Sequence, residues 1–177
     1  MKRTIAAAAT AALFLIGVPP FAFAQNDPAT GRDRLARALQ GAWLPLESGL
    51  IAGSAQGTPI SGKYEIDDGA FQLSVYTVKA DDVSGETFIE VIVDYSTGTL
   101  ARVEVMTDGG DIAAAQAQKA AMAIAQRSLA VATAAVVKAN VGYRAVSVTP
   151  SLDGSRPVLE VLLVNGNDWK VVSEPLN

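Results

Sequence analysis

Ser61 stands two positions before Lys63, and Ser128 lies nine after Lys119 and ten before Lys138. A serine that gives its proton to a lysine is one way to make a nucleophile. No motif draws either pair together, so both serines are expected to be ordinary polar positions. Ser-His-Asp and Cys-His sites are excluded, because the chain contains no histidine and no cysteine. Asp67-Asp68, Asp81-Asp82 and Asp108 with Asp111 offer the carboxylate oxygens that calcium takes. None follows the alternating acid pattern of a calcium loop. All fall at expected turns or helix starts, where Asp is favoured for local hydrogen bonding. No catalytic, cofactor-binding or metal-binding residue is assigned, and the chain is expected not to be an enzyme.

Other candidates are read from shape rather than reactivity. Gly49, Gly53 and Gly57 are spaced by four in a stretch of small residues. That spacing suits a helix lying close on a sheet better than a loop holding phosphate. Tyr95 and Trp169 stand beside expected hairpin turns, where an aromatic can anchor a protein partner. They are the two candidate partner-binding residues.

The first 24 residues have the form of an export signal. Lys2 and Arg3 precede an apolar stretch from Ile5 to Val18, and Ala22-Phe23-Ala24 suits cleavage before Gln25. Cleavage after Ala24 would leave 153 residues carrying 12 basic and 18 acidic side chains. The expected location is periplasmic or secreted, with no membrane insertion once the signal is removed. An acidic chain without a basic run has no footprint for a nucleic acid backbone. Without disulfides, stability must come from an apolar core.

The elements follow from hydrophobic periodicity. Residues 25–32 read as a flexible leader. Leu35, Leu39, Trp43 and Leu46 mark a helix interrupted at Pro45, with a second piece over 45–55 that Gly57 and Pro59 stop. A short strand is expected near Lys63–Ile66, before the Asp67-Asp68-Gly69 turn. Alternation then gives strands through Phe71–Tyr76, Ile89–Asp94 and Leu100–Val105. One long helix is expected from Ile112 to Ala139, capped by Asp111. Strands at Arg144–Thr149, Val158–Val164 and Asp168–Val172 complete the chain, with Asn165-Gly166 as a hairpin turn. Sliding the sequence by 70 residues lays 70–93 on 140–163 and suggests an internal repeat. In that alignment the strand near residue 64 has no counterpart.

The hairpin FIEVIVDYSTGTLARVEV (88–105), with Asp94 followed by Thr97-Gly98, resembles the PepSY domain. KYEIDDGAFQLSVYTV (63–78) is similar to the hairpin that precedes it, and LEVLLVNGNDWKVV (159–172) resembles the same module less closely. The resemblance implies an α+β fold of two tandem helix-plus-antiparallel-sheet modules, 33–107 and 108–177, packed together. It implies a binding partner among envelope proteins, peptidases included, met in trans because no peptidase accompanies the modules in this sequence. It carries over no catalytic residue; Asp94, Thr97 and Gly98 are read as turn formers. A homodimer would cover the apolar girth of the long helix. A small-ligand carrier, with a pocket between the modules, is the alternative.

Overall fold

A computed structural model describes residues 28–177. The export signal expected over 1–24 lies outside them. The described residues form four α-helices and one seven-stranded antiparallel sheet, an α+β fold. The chain runs α1 (Pro28–Leu39), α2 (Leu46–Gly53), β1 (Gly57–Asp67), β2 (Ala70–Lys79), β3 (Phe88–Val93) and β4 (Leu100–Val105). It continues through α3 (Gly109–Ile124), α4 (Leu129–Ala139), β5 (Arg144–Asp153), β6 (Arg156–Asn165) and β7 (Asp168–Pro175). The strand order is β4-β3-β2-β1-β5-β6-β7.

Several boundaries differ from the sequence reading. The leader expected through residue 32 is helical from Pro28, whose fixed φ suits a first turn. Gly57 and Pro59 begin a strand of 11 residues instead of only ending a helix. The long helix expected over 112–139 is two helices bent by 83°. Ser128 caps α4 by accepting from Val131 N, and Leu176 O takes the N–H groups of Gln126 and Arg127. The cap of α3 is Asp108, not Asp111; its carboxylate accepts from Gly110 N and Asp111 N.

Alternation along the strands sends Tyr64, Leu73, Val75, Val91 and Val93 to one side, where α2 covers them in the main core while α4 covers β5 and β6 on the same side. Gly49 and Gly53 let α2 approach closely. A Cβ on them would lie 2.3 Å from Leu73 Cδ2 and 2.6 Å from Val75 Cγ1. On the other side α3 covers Ile60, Tyr76, Val78 and Phe88 through Ala115, Ile112 and Met122. The long apolar girth read from sequence is thus split between helices on opposite faces of the sheet.

The β1–β2 and β5–β6 hairpins share one register. Asp67 faces Ala70 as Asp153 faces Arg156, and each pair stands 86 positions from its counterpart. The register shifts at Ile60 in β1 and at Val146 in β5, again 86 apart. Such a bulge is a specific local feature. The helices before them agree too: α2 buries Leu46, Gly49, Leu50 and Gly53, and α4 buries Leu129, Ala132, Thr133 and Val136. The 70-residue alignment is therefore replaced. It laid β2 on β5, but seen from the core face β3 and β6 lie on opposite hands of those strands. The unmatched strand is β4, not the one near residue 64.

Candidate functional site

The Asp94-Tyr95-Ser96-Thr97-Gly98 stretch forms a closed turn. Asp94 Oδ1 accepts from Ser96 N at 2.7 Å, Ser96 Oγ at 2.5 Å and Thr97 N at 3.1 Å. Asp94 O accepts from Gly98 N at 2.8 Å, and Gly98 has a φ of 77°. The Ser96 hydroxyl and these N–H groups hold the Asp94 carboxyl below its ordinary range. The three motif residues are thus brought together by the turn.

That turn has a second task, which the sequence did not reveal. Tyr95 O accepts from both Trp43 N and Leu44 N, at 3.2 and 2.9 Å. Gly98 packs beneath Leu44, where a Cβ would lie 3.4 Å from Leu44 Cδ1. Leu44 O is held from the other side by the Tyr64 hydroxyl and by Arg144 Nη2 at 3.3 Å. Arg144 Nη1 also donates to Leu39 O at 2.7 Å. The connector between α1 and α2 is thereby pinned, and it presents Trp43 with 86% of its surface exposed. The periodicity puts Trp43 in a helix, but it lies in the connector after α1. Its distance from the Tyr95 turn is long in sequence, so no local pattern marks it.

Tyr95 itself is half-buried, its ring 4.8 Å from that of Phe71. Trp169 is half-buried at the start of β7, with the Arg32 guanidinium 5.8 Å from its ring. Next to it, Lys170 Nζ lies 3.8 Å over the Tyr143 ring, and the Tyr143 hydroxyl donates to Asp168. That bond to a carboxylate raises the Tyr143 hydroxyl above its ordinary value. Tyr95 and Trp169 belong to separate surroundings.

The serines considered for nucleophilic work have structural partners. Ser61 Oγ donates to Gln118 Oε1 at 2.8 Å, buried beneath α3, and Ser128 caps α4. Lys63 Nζ instead meets Glu65 at 2.6 Å and lies 5.5 Å from the Tyr76 ring. Glu65 Oε1 accepts from Ser74 Oγ at 2.7 Å, and the Tyr76 hydroxyl donates to Glu90 at 3.3 Å. Burial, then the nearby carboxylates, push the Tyr76 hydroxyl far above its usual value. These residues make a polar network on the sheet face opposite α2. Among the described residues no group of three or more His, Cys, Asp or Glu side chains could hold a metal.

Two hollows among the described residues bear on small molecules. One of about 10 Å³ lies between Ser61, Tyr76 and Gln118. The other, about 170 Å³, lies between α1 and the β6–β7 turn, lined by Leu39, Gln40, Arg144, Val164 and Asn165.

The remaining feature is the outer edge of β7. Leu176 N donates to Pro157 O, so alternation points the backbone groups of Trp169, Val171 and Ser173 away from β6. Trp169 occupies in β7 the place of Phe88 in β3, whose carbonyl accepts from Met106 N beyond β4. No family model, no curated protein and no solved structure matches this chain.

Proposed function

We propose that this protein is an exported, non-enzymatic binding module that takes an extended segment of another envelope protein along β7. Two tandem PepSY-like modules sharing one sheet would build it. The PepSY likeness makes an envelope peptidase, bound in trans, the partner class to examine first.

The unequal ending of the two halves carries the reading. β3 pairs on its outer side with β4, whereas β7, its counterpart, is an edge of the sheet. Outward N–H and C=O groups at Trp169, Val171 and Ser173 match those at Phe88, Glu90 and Ile92 that face β4. A row of unpaired backbone groups is a template for a further strand. The fold thus contains, in β4, an example of what the β7 edge would receive. The hollow of about 170 Å³ supports the small-ligand alternative less well. Ligand sites usually enclose roughly 300 Å³ or more.

Val171→Pro tests the reading. Its N–H faces solvent, so proline there removes an edge donor and leaves the β6–β7 bonds in place. The protein is used to capture envelope peptidases, and inhibition of each captured enzyme is assayed. Capture and inhibition should both fall sharply in the variant while its melting temperature is kept. Undiminished capture by folded Val171→Pro would remove β7 as the docking edge.

A further inference from the structure

The opposite edge of the sheet has different chemistry. Residues 101–105 of β4 are all exposed. Met106 N points inward to Phe88 O at 2.9 Å, so alternation turns the N–H and C=O of Val103 and Val105 outward. Their side chains lie on the core side of the sheet, opposite Val91 and Ile89. Val91 and Ile89 are buried, whereas Val103 and Val105 are 43% and 57% exposed. The apolar layer therefore runs on to the edge and ends uncovered. On the other side Arg102 and Glu104 stand together at 3.3 Å.

We propose that β4 pairs with β4 of a second copy of this chain, antiparallel, about a two-fold axis at Val103. Arg102 of each copy then faces Glu104 of the other, so the opposite-charge pair forms twice. Val103 faces Val103, and Val105 faces Ala101. Charge selects this register. A shift by two residues sets Arg102 against Arg102 or Glu104 against Glu104, and like charges directly opposite are destabilising. A shift by one would turn Val103 and Val105 to the polar face. Registers shifted by two keep the apolar layers together, so it is the charges that single out the register centred on Val103.

β7 does not offer the same edge. Lys170 is stacked on Tyr143, and Glu174 meets Arg127 at 3.3 Å. Self-pairing confined to β4 closes at two copies instead of running on as a fibre. It leaves both β7 edges of the dimer outermost, and it does not depend on what binds them.

Sedimentation equilibrium of the purified protein tests the dimer. Wild type should show a monomer–dimer equilibrium in the micromolar range. Arg102→Glu should raise the dimer Kd by about tenfold or more, because two opposite-charge pairs become like-charge pairs. The double exchange Arg102→Glu with Glu104→Arg should restore it. Circular dichroism melts should leave both variants folded as wild type, since both side chains are exposed. A wild type that stays monomeric at high concentration would overturn the proposal. So would an Arg102→Glu protein that dimerises as tightly as wild type, a double exchange that fails to recover, or a dimer abolished by Val171→Pro.

Discussion

Gly62 faces Val148 across the seam where β1 meets β5, and each holds the same place in its own hairpin. The space above Gly62 is filled by Leu50 of α2. A Cβ on Gly62 would lie 3.0 Å from Leu50 Cδ2 and 3.4 Å from Ser74 O. Val148 is fully buried in the main core. Gly62→Val should cost about 1–3 kcal/mol through overpacking. Val148→Ala should cost about 2 kcal/mol through lost burial and the cavity left behind. Urea unfolding of both variants checks this, and Gly62→Val as stable as wild type would mean that α2 moves freely.

Gly49 and Gly53 give a sharper contrast. Alanine normally favours a helix by about 1 kcal/mol over glycine. Here the added methyl meets a neighbour at both positions. At Gly49 the obstacle is the tip of Leu73, which can rotate; at Gly53 it is Val75 Cγ1 at 2.6 Å and Cβ at 2.9 Å, fixed to the strand. Gly53→Ala should therefore be the more damaging, by roughly 1–3 kcal/mol net, and Gly49→Ala closer to neutral. Equal melting temperatures for the two would contradict the argument.

The α+β class, the presence of each strand if not the full length of β1, and the close approach of the Gly49/Gly53 helix were legible in the sequence. Period-two alternation of β-branched residues survives any packing arrangement, so it reads locally. The break at 125–128 was not legible. Alanine-rich helix carries no stop signal there, and the bend is made by Leu176 O, a carbonyl from the far end of the chain. The repeat was sensed, but β2 and β5 resemble each other as amphipathic strands and set the wrong offset. The shared hairpin registers, the matching bulges at Ile60 and Val146 and the burial patterns of α2 and α4 correct it. At the candidate site, the Asp94 turn was readable from its own five residues. Trp43 was not, because what holds it out is hydrogen-bonded to a turn half a hundred residues away.

Two pH effects follow from the shifted groups. Hydrogen bonds from Ser84 and Thr87 hold the Asp82 carboxyl well below its usual range, as those from Ser96 and Thr97 do for Asp94. Both are lowered on folding, so their stabilisation is present at neutral pH and is lost as pH falls below about 4. Burial raises Tyr64 to about 12 and Tyr76 higher still. Unfolded tyrosine ionises near pH 10, so stability should decline as pH rises from about 10 towards 12. Melting temperatures across the range should sag at both ends. Asp82→Asn with Asp94→Asn should flatten the acid side alone; an unchanged acid slope would show that the turns contribute nothing to it.

Trp43 should report its exposure directly. In a Trp169→Phe variant the remaining tryptophan emission should sit near that of the free amino acid and be quenched readily by acrylamide. Trp43→Ala should leave the melting temperature within a degree or so, since an exposed side chain removed from a surface connector changes stability little. An exposed tryptophan fixed on a rigid connector is a natural anchor for a partner. Emission that shifts to the blue on adding a captured partner would place Trp43 in that contact; blue emission from the protein alone would mean that Trp43 is already covered.

Thr133 sits on α4 at the place Leu50 holds on α2, fully buried, and its hydroxyl has no hydrogen-bond partner. A hydroxyl taken out of water without a partner costs about 1–3 kcal/mol. Threonine and valine have nearly the same shape, so Thr133→Val removes the polar atom without changing the packing. Both are β-branched and similar in helix propensity. The variant should therefore be more stable than wild type by about 1 kcal/mol, seen as a higher urea midpoint with the same slope. Thr77, the other fully buried threonine with an unpaired hydroxyl, lies on β2 and should respond in the same direction when changed to valine. A loss of stability in Thr133→Val would mean that its hydroxyl is bonded in solution, and the α2–α4 seam would then contain water.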